Sequence, residues 1–371
     1  MSIWSDRRRR AHAGLVVAST VVGFAFWAPA FLAPEATGWG DWQWFHHMWE
    51  AGRVAVLRHG EWPLFNPHHC GGVPLWGNPQ SQVLSPTWAI TGLLFGTTLG
   101  HKLFLALHTG IAFAGTFALG RRVLGLRAAG ATLAAFVWSC SGFFALHGAG
   151  GHATFCAFAY GPALLLAWRL AEDDLRHAAS VALLLGLVLA EGGHYPFPYF
   201  VLLLGFDALA RVWPFACWER SRRVLRAGLL AAALTALIGA FRVVPIFLTV
   251  TRFPKPVRSD DALTLAEVLE LLVARDHPWF TGEHVWVWGE YGAFVGWLPV
   301  ALAGWGVLHA LRVALPGRAG DRRTRGRLWA VAGLVLFVAF TQGKASPVHP
   351  WSLVHEHLPF YGSLHVPSRF R

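Results

Sequence analysis

The sequence predicts an all-α fold, a polytopic transmembrane helical bundle of about nine spans with large extracytoplasmic loops that carry short amphipathic helices. Three observations predict it. Hydrophobic residues make up 55% of the chain and charged residues 14%, where a soluble domain carries about 25% charged. Apolar runs of about 20 residues recur along all 371 positions, each long enough to cross about 30 Å of hydrocarbon at about 1.5 Å per residue. The basic residues collect in alternate short connectors, the pattern that orients a membrane protein.

The first span is expected over 13–33, after Arg7 to Arg10. Its apolar run exceeds a signal-peptide core, so it reads as an uncleaved helix. Further spans are expected near 97–120, 129–147, 153–170, 178–193, 197–213, 227–248, 292–311 and 328–341. Ser85 to Gly96, with Pro86 near its start, reads as a short interfacial helix leading into the second span. With the N-terminus inside, inside segments carry 20 of the 31 basic residues and outside segments 9. The arginines of 121–127, 220–226 and 318–327 all fall inside, as the positive-inside rule requires. The net charge of +11 is thus spread over topological connectors. No basic face interleaved with stacking aromatics is present, so no nucleic-acid partner is expected.

Residues 1–371 read as a single transmembrane domain, with long outside segments over 34–84, 249–291 and 342–371. Long loops held on a rigid scaffold are where chemistry concentrates. The last thirty or so residues read as a loop heading into another helix. The chain is therefore expected to be an early-ending version or piece of something longer.

The first outside loop opens Gly38-Trp39-Gly40-Asp41-Trp42-Gln43-Trp44-Phe45-His46-His47. A carboxylate among aromatics at the membrane boundary suits a general base or a metal ligand. From Gln43 to His59, Phe45, Met48, Trp49, Gly52, Val56 and Leu57 recur at helical spacing, which predicts a helix lying along the membrane surface. The Pro-, Gly- and Asn-rich stretch that follows reads as a fixed loop. Its Asn78 and Gln80 are candidates for binding a sugar, beside the plainer role of capping the bundle. His46, His47, His68 and His69 lack helical metal-ligand spacing and read as interfacial residues. Cys70, Cys140, Cys156 and Cys217 show neither metal spacing nor a paired framework and read as packing residues, beside the alternative that Cys140 and Cys156 meet across a helical hairpin.

Deeper in the chain, His152 and His194 follow glycine turns at outer span ends. Two histidines there can bind substrate or leaving phosphate, or simply finish helices. Glu191 closes an apolar span, where an acid is costly unless paired or facing a cavity, and is a second acidic candidate. His108 lies too deep to be read as an interfacial residue. Glu290, before Tyr291-Gly292, stands out among second-loop acids that otherwise read as solvated. Leu263 to Ala274 predicts an amphipathic helix with Glu267 and Glu270 on its polar side. Arginine forks phosphate well, so Arg369, Arg371 and Arg242, with Arg252, Lys255 and Arg258, are phosphate candidates against the plainer reading of interfacial snorkelling. Lys102 reads as snorkelling. Polar residues gather outside the spans and no repeat is evident, which favours surface chemistry over a transporter.

Several motifs occur in a distinctive order. They are Asp41 after the first span, then Asn66-Pro67, Gly71-Gly72-Val73-Pro74, Asn78-Pro79-Gln80 and Pro86. Ser141-Gly142-Phe143-Phe144, Gly151-His152, Gly192-Gly193-His194-Tyr195, Gly289-Glu290-Tyr291-Gly292 and His365-Val366-Pro367-Ser368-Arg369-Phe370 follow. Together these resemble bacterial membrane proteins of the YfhO type, related to the GT-C glycosyltransferase superfamily. The resemblance covers about 40–370. It implies a cytoplasmic (inner) membrane enzyme that takes a sugar from a polyprenyl phosphate in the membrane lipid and gives it to a glycan, lipid or protein acceptor. It also implies that an acid of the first outside loop, here Asp41, is the base or a metal ligand. The sequence names no metal ligand set and no certain cofactor, and a divalent cation stays open beside a metal-free base. A transporter or an inactive scaffold is the alternative class.

Overall fold

The computed structural model describes residues 2–212, 218–253, 261–275, 288–314, 322–346, 348–358 and 361–364. Arg369, Arg371, Lys255, Arg258 and much of the segment 249–291 lie outside the described residues. Helix dominates. Among the described residues, six helices are long and apolar enough to cross a membrane: Thr97–Arg122, Ala128–Ala149, Ala153–Ala171, Trp218–Arg252, Trp297–Ala314 and Thr324–Gln342. The chain is a multi-pass helical membrane protein on that basis. The other three expected spans also form helices, but their apolar stretches are shorter. The run Arg10–Phe26 precedes a break at Trp27, Arg176–Ala190 ends at a glycine turn, and Pro196–Val212 has 17 residues. At 15 to 17 residues these runs lie at or just under the short end of what a span takes, about 17–25 residues.

Met1–Cys140, His147–Phe197 and Trp218–Pro254 form one compact unit. Its helices are α1 Ser2–Phe26, α2 Ala28–Leu32, α3 Trp42–Arg53, α4 Pro86–Trp88, α5 Thr97–Arg122 and α6 Ala128–Ser139. The end of α7 Gly142–Ala149, α8 Gly161–Ala171, α9 Arg176–Ala190 and α11 Trp218–Arg252 complete it. Helices α1 and α5 approach closely because Gly23 faces the Ala106 backbone and Gly110 the Ser19 backbone, with no room for a Cβ at either. Small residues at such crossings let membrane helices pack by dispersion. Lys102, on α5, is buried and donates to the carbonyls of Ala33 (2.6 Å) and Pro34 (2.7 Å). The snorkelling expected of it is replaced by a clamp on the chain just past α2, whose last carbonyls lack helical donors.

Helix α3 forms as the periodicity predicts and buries Phe45, Met48, Trp49 and Gly52. Leu57 departs from that face and is 60% exposed. Residues Val54–Arg58 widen into a π-turn, whose extra residue per turn rotates later side chains off an α-helical stripe. The expected helix after Ser85 is α4, followed by a second π-turn over Ala89–Leu93. Ser85 caps it by accepting from the Trp88 N–H at 3.1 Å. Between them, Phe65–Asn66 pairs antiparallel with Val73–Pro74 in a short hairpin.

The second unit comprises Ser141–Leu146, Pro198–Cys217 and Lys255–Arg371. It contains most of α10 Pro196–Val212, then α12 Leu265–Val273, α13 Trp288–Tyr291, α14 Trp297–Ala314, α15 Arg322–Gln342 and α16 Pro350–His357. The amphipathic helix expected over 263–274 is α12. It starts at a reciprocal cap in which Thr264 and Glu267 each bond the other's backbone N–H. Leu263, Val268, Leu271 and Tyr291 form a core beneath it. Asp261, expected as solvated charge, is buried and accepts from the Tyr291 hydroxyl at 2.7 Å.

Candidate functional site

The segment after the first span is laced to the turn after α7. Trp39 N–H donates to Ala149 O (3.0 Å), Asp41 N–H to Gly150 O (2.9 Å), and the Trp42 indole to Gly148 O (2.9 Å). Gly151 adopts φ +79°, and a Cβ there would overlap the Trp42 backbone. The glycines of the turn thus let two chain segments touch backbone to backbone. That contact delivers His152 to Asp41, with Nε2 3.6 Å from Oδ2. Asp41 occupies the N-cap position of α3 yet makes no capping bond. Its side chain is 52% exposed, whereas that of His152 is only 10% exposed.

A second histidine, His147 on α7, lies behind the first. The two Nδ1 atoms are 2.8 Å apart, and His152 N–H also donates to His147 O at 2.8 Å. Phe155 packs against both rings, with centroids 4.6 and 5.6 Å away. Phe155 meets Tyr195 edge-on at 5.5 Å, and Tyr195 meets His194 at 4.7 Å. His152 and His194 therefore stand at opposite ends of an aromatic strip. His194 is half-buried, with its Nδ1 3.0 Å from Gly192 O. Gly192, at φ +70°, lies flush against the Gln80 backbone. Gln80 thus joins the His194 end. Asn78 is nearby, but its side chain serves the loop: the oxygen accepts from Gln80 N–H (2.9 Å) and the amide donates to the Met48 sulfur (3.5 Å).

Glu290 belongs to the second unit, where it is partly buried in α13. Arg242 is fully buried. Its guanidinium donates to the carbonyls of Trp76, Asn78 (3.0 Å), Ser81 (2.9 Å) and Leu189 (3.3 Å). It holds the loop to the bundle, and is not displayed for phosphate.

Glu191 is paired. It is fully buried, and its Oε1 accepts from Thr87 (2.5 Å) and Tyr160 (2.8 Å) while Oε2 meets His108 Nε2 at 2.8 Å. His108 is the twelfth of 26 residues in α5, so polar groups do not gather only outside the spans. Another buried imidazole, His101, lies between Trp42 and Trp49, stacked at 4.4 and 5.2 Å. Beside it, burial first and then the positive charge of Lys102 pull His46 down to about 4, against an opposing pull from Glu50. His46 is therefore neutral at physiological pH.

Comparison with family models, with known proteins and with solved structures returns no match. The family likeness rests on its motifs alone. Sequence reasoning missed His147, Thr87 and Tyr160. For His147, the available signal was a second histidine across a turn of small residues from His152.

As a metal site, Asp41 Oδ2 and His152 Nε2 supply two ligand atoms 3.6 Å apart. An ion using them would complete its shell with phosphate or water.

Proposed function

We propose that the chain is an integral membrane glycosyltransferase that moves a sugar from a polyprenyl phosphate to an extracytoplasmic glycan, lipid or protein acceptor. In this reading nine spans cross a bacterial cytoplasmic membrane, the N-terminus is cytoplasmic and Asp41 lies outside. The observation that carries it is the half-exposed Asp41 carboxylate held against the nearly buried His152 at 3.6 Å. One oxygen faces a fixed imidazole while the carboxylate remains open to an incoming hydroxyl. Asp41 takes the acceptor proton as the hydroxyl oxygen bonds the anomeric carbon. The bond from that carbon to the phosphate oxygen breaks, and polyprenyl phosphate leaves with the electron pair. General-base help of this kind contributes about 10²–10⁴-fold. Gln80 and His194 offer hydrogen bonds at the other end of the aromatic strip, suited to sugar hydroxyls.

The test incubates purified protein with labelled polyprenyl-phosphate sugars and follows donor consumption. Wild type consumes donor, and Asp41→Asn is slower by about 10²-fold or more while remaining folded. Equal rates would remove Asp41 from the mechanism. The buried His108–Glu191 pair favours a second reading, a lipid or glycan transporter, because ionisable groups inside membrane spans often mark transport paths. Translocation of intact donor without its consumption would select that reading.

A further inference from the structure

Residues 6–12 and 121–127 hold seven arginines and one acid, whereas residues 169–176 and 219–226 hold six arginines and four acids. The fold treats the two sets differently. In the second set Arg220 donates to Glu172 at 2.9 Å and Arg223 stands 3.5 Å from Asp173, so those connectors largely neutralise each other. In the first set the packing gathers cations instead. Helices α1 and α5 run antiparallel, touching where Gly23 meets Ala106 and where Ser19 meets Gly110. That seam brings the basic start of α1 to the end of α5, where His12 Nε2 lies 3.4 Å from Arg122 Nη2. Arg121 donates to Leu126 O at 2.6 Å across the turn into α6, and Arg127 opens α6 without a capping bond. Arg121, Arg122 and Arg127 are all exposed, and among the described residues no carboxylate pairs with them. Neither α5, α6 nor their connector can supply one, because no Asp or Glu occurs from residue 62 to residue 171.

Orienting the chain needs only that the cations lie on one side, and both sets meet that need. The uncompensated set does more, because exposed arginines at a span end attract anionic headgroups. Its apolar neighbours point to an amphiphile. Leu124, in the same turn as the arginines, is 60% exposed. Val16 and Val17 of α1 are exposed about one helical turn beyond His12. A soluble anion would leave these side chains in water, whereas a lipid covers them with its tails. Each guanidinium has five N–H donors, so Arg121 keeps free donors after bonding Leu126 O.

We propose that the shared end of α1, α5 and α6 binds an anionic phospholipid, with its phosphate on Arg121, Arg122 and Arg127 and its acyl chains along the exposed apolar side chains beside them. The lipid bridges α1 to the α5–α6 hairpin and does not depend on what Asp41 does.

The test follows the thermal midpoint of the full chain in a non-ionic detergent as dioleoyl-phosphatidylglycerol, dioleoyl-phosphatidylcholine or glycerol 3-phosphate is added. Phosphatidylglycerol should raise the midpoint with increasing concentration, as a ligand of the folded state does. Zwitterionic phosphatidylcholine and tail-less glycerol 3-phosphate should leave it unchanged. Arg121→Gln/Arg122→Gln/Arg127→Gln should lose the rise, while Arg220→Gln/Arg223→Gln, in the self-neutralised set, should keep it. In native mass spectrometry each arginine removed from the first set should weaken phosphatidylglycerol retention about fivefold. A full rise in the triple variant, or an equal rise with phosphatidylcholine, overturns the proposal. An equal rise with glycerol 3-phosphate overturns it too, since the site then takes an anion and not a lipid. Should the triple variant fail to fold, the three single variants decide, and wild-type retention in all of them overturns the site.

Discussion

The carboxylate of Glu191 has no exposed surface, and its bonding is internal. His108 Nδ1 is 2.8 Å from Phe104 O, a carbonyl that only accepts, so Nδ1 carries a hydrogen. The 2.8 Å contact between Nε2 and Oε2 needs one more proton. The pair is therefore neutral as a unit, whichever atom holds that proton, and neutrality suits a site deep in the bundle. Two substitutions separate charge from hydrogen bonding. Glu191→Ala leaves three donors without an acceptor and should cost about 3–5 kcal/mol. Glu191→Gln keeps an acceptor for Thr87 and Tyr160 and gives His108 a donor, so its thermal midpoint in detergent should stay much closer to wild type. Equal losses in both would show that the carboxyl group itself, and not the bond pattern, holds the site. Each of these residues looked odd in the sequence, an acid closing an apolar span and a histidine two turns deep. Their pairing joins positions 83 residues apart, and no local periodicity reports that. His147 did not look odd, because a polar residue near a helix end needs no partner.

At the level of elements, the first loop and α11 interlock through a backbone defect. Pro245 lies inside α11 and has no N–H, so the Phe241 carbonyl four residues earlier loses its helical donor. The Trp76 indole takes that place at 2.6 Å. From the next residue, Arg242 reaches back to carbonyls on both sides of the same loop segment. The loop bearing Asn78 and Gln80 is thus seated in a proline notch. Trp76→Phe should cost about 0.5–1.5 kcal/mol, the net worth of one hydrogen bond. In a Pro245→Ala background the helix supplies its own donor, so the same substitution should cost less. Thermal midpoints of the four proteins in a double-mutant cycle measure that coupling, and purely additive losses would show that the notch does not hold the loop. The sequence made helix α3 legible through the spacing of Phe45, Met48, Trp49 and Gly52. It did not reveal the π-turns, which depend on what the helices rest against.

On the scale of the molecule, membrane class was readable because apolar length is a property of single segments. The division into two units was not. In a membrane span, residues facing lipid and residues facing another helix are equally apolar, so the pattern does not say which helices pack together. The side of the membrane on which Asp41 works rests on the arginine count, and the transferase reading requires Asp41 to lie opposite the arginine-rich connectors. Two natural cysteines probe this directly. Cys70 is exposed in the loop that follows Asp41, and Cys217 falls in an arginine-rich connector. In spheroplasts treated with a membrane-impermeant thiol reagent, Cys70 should be labelled at once and Cys217 only after the membrane is opened. Labelling of Cys217 in sealed spheroplasts, with Cys70 protected until lysis, would place Asp41 in the cytoplasm and contradict the account.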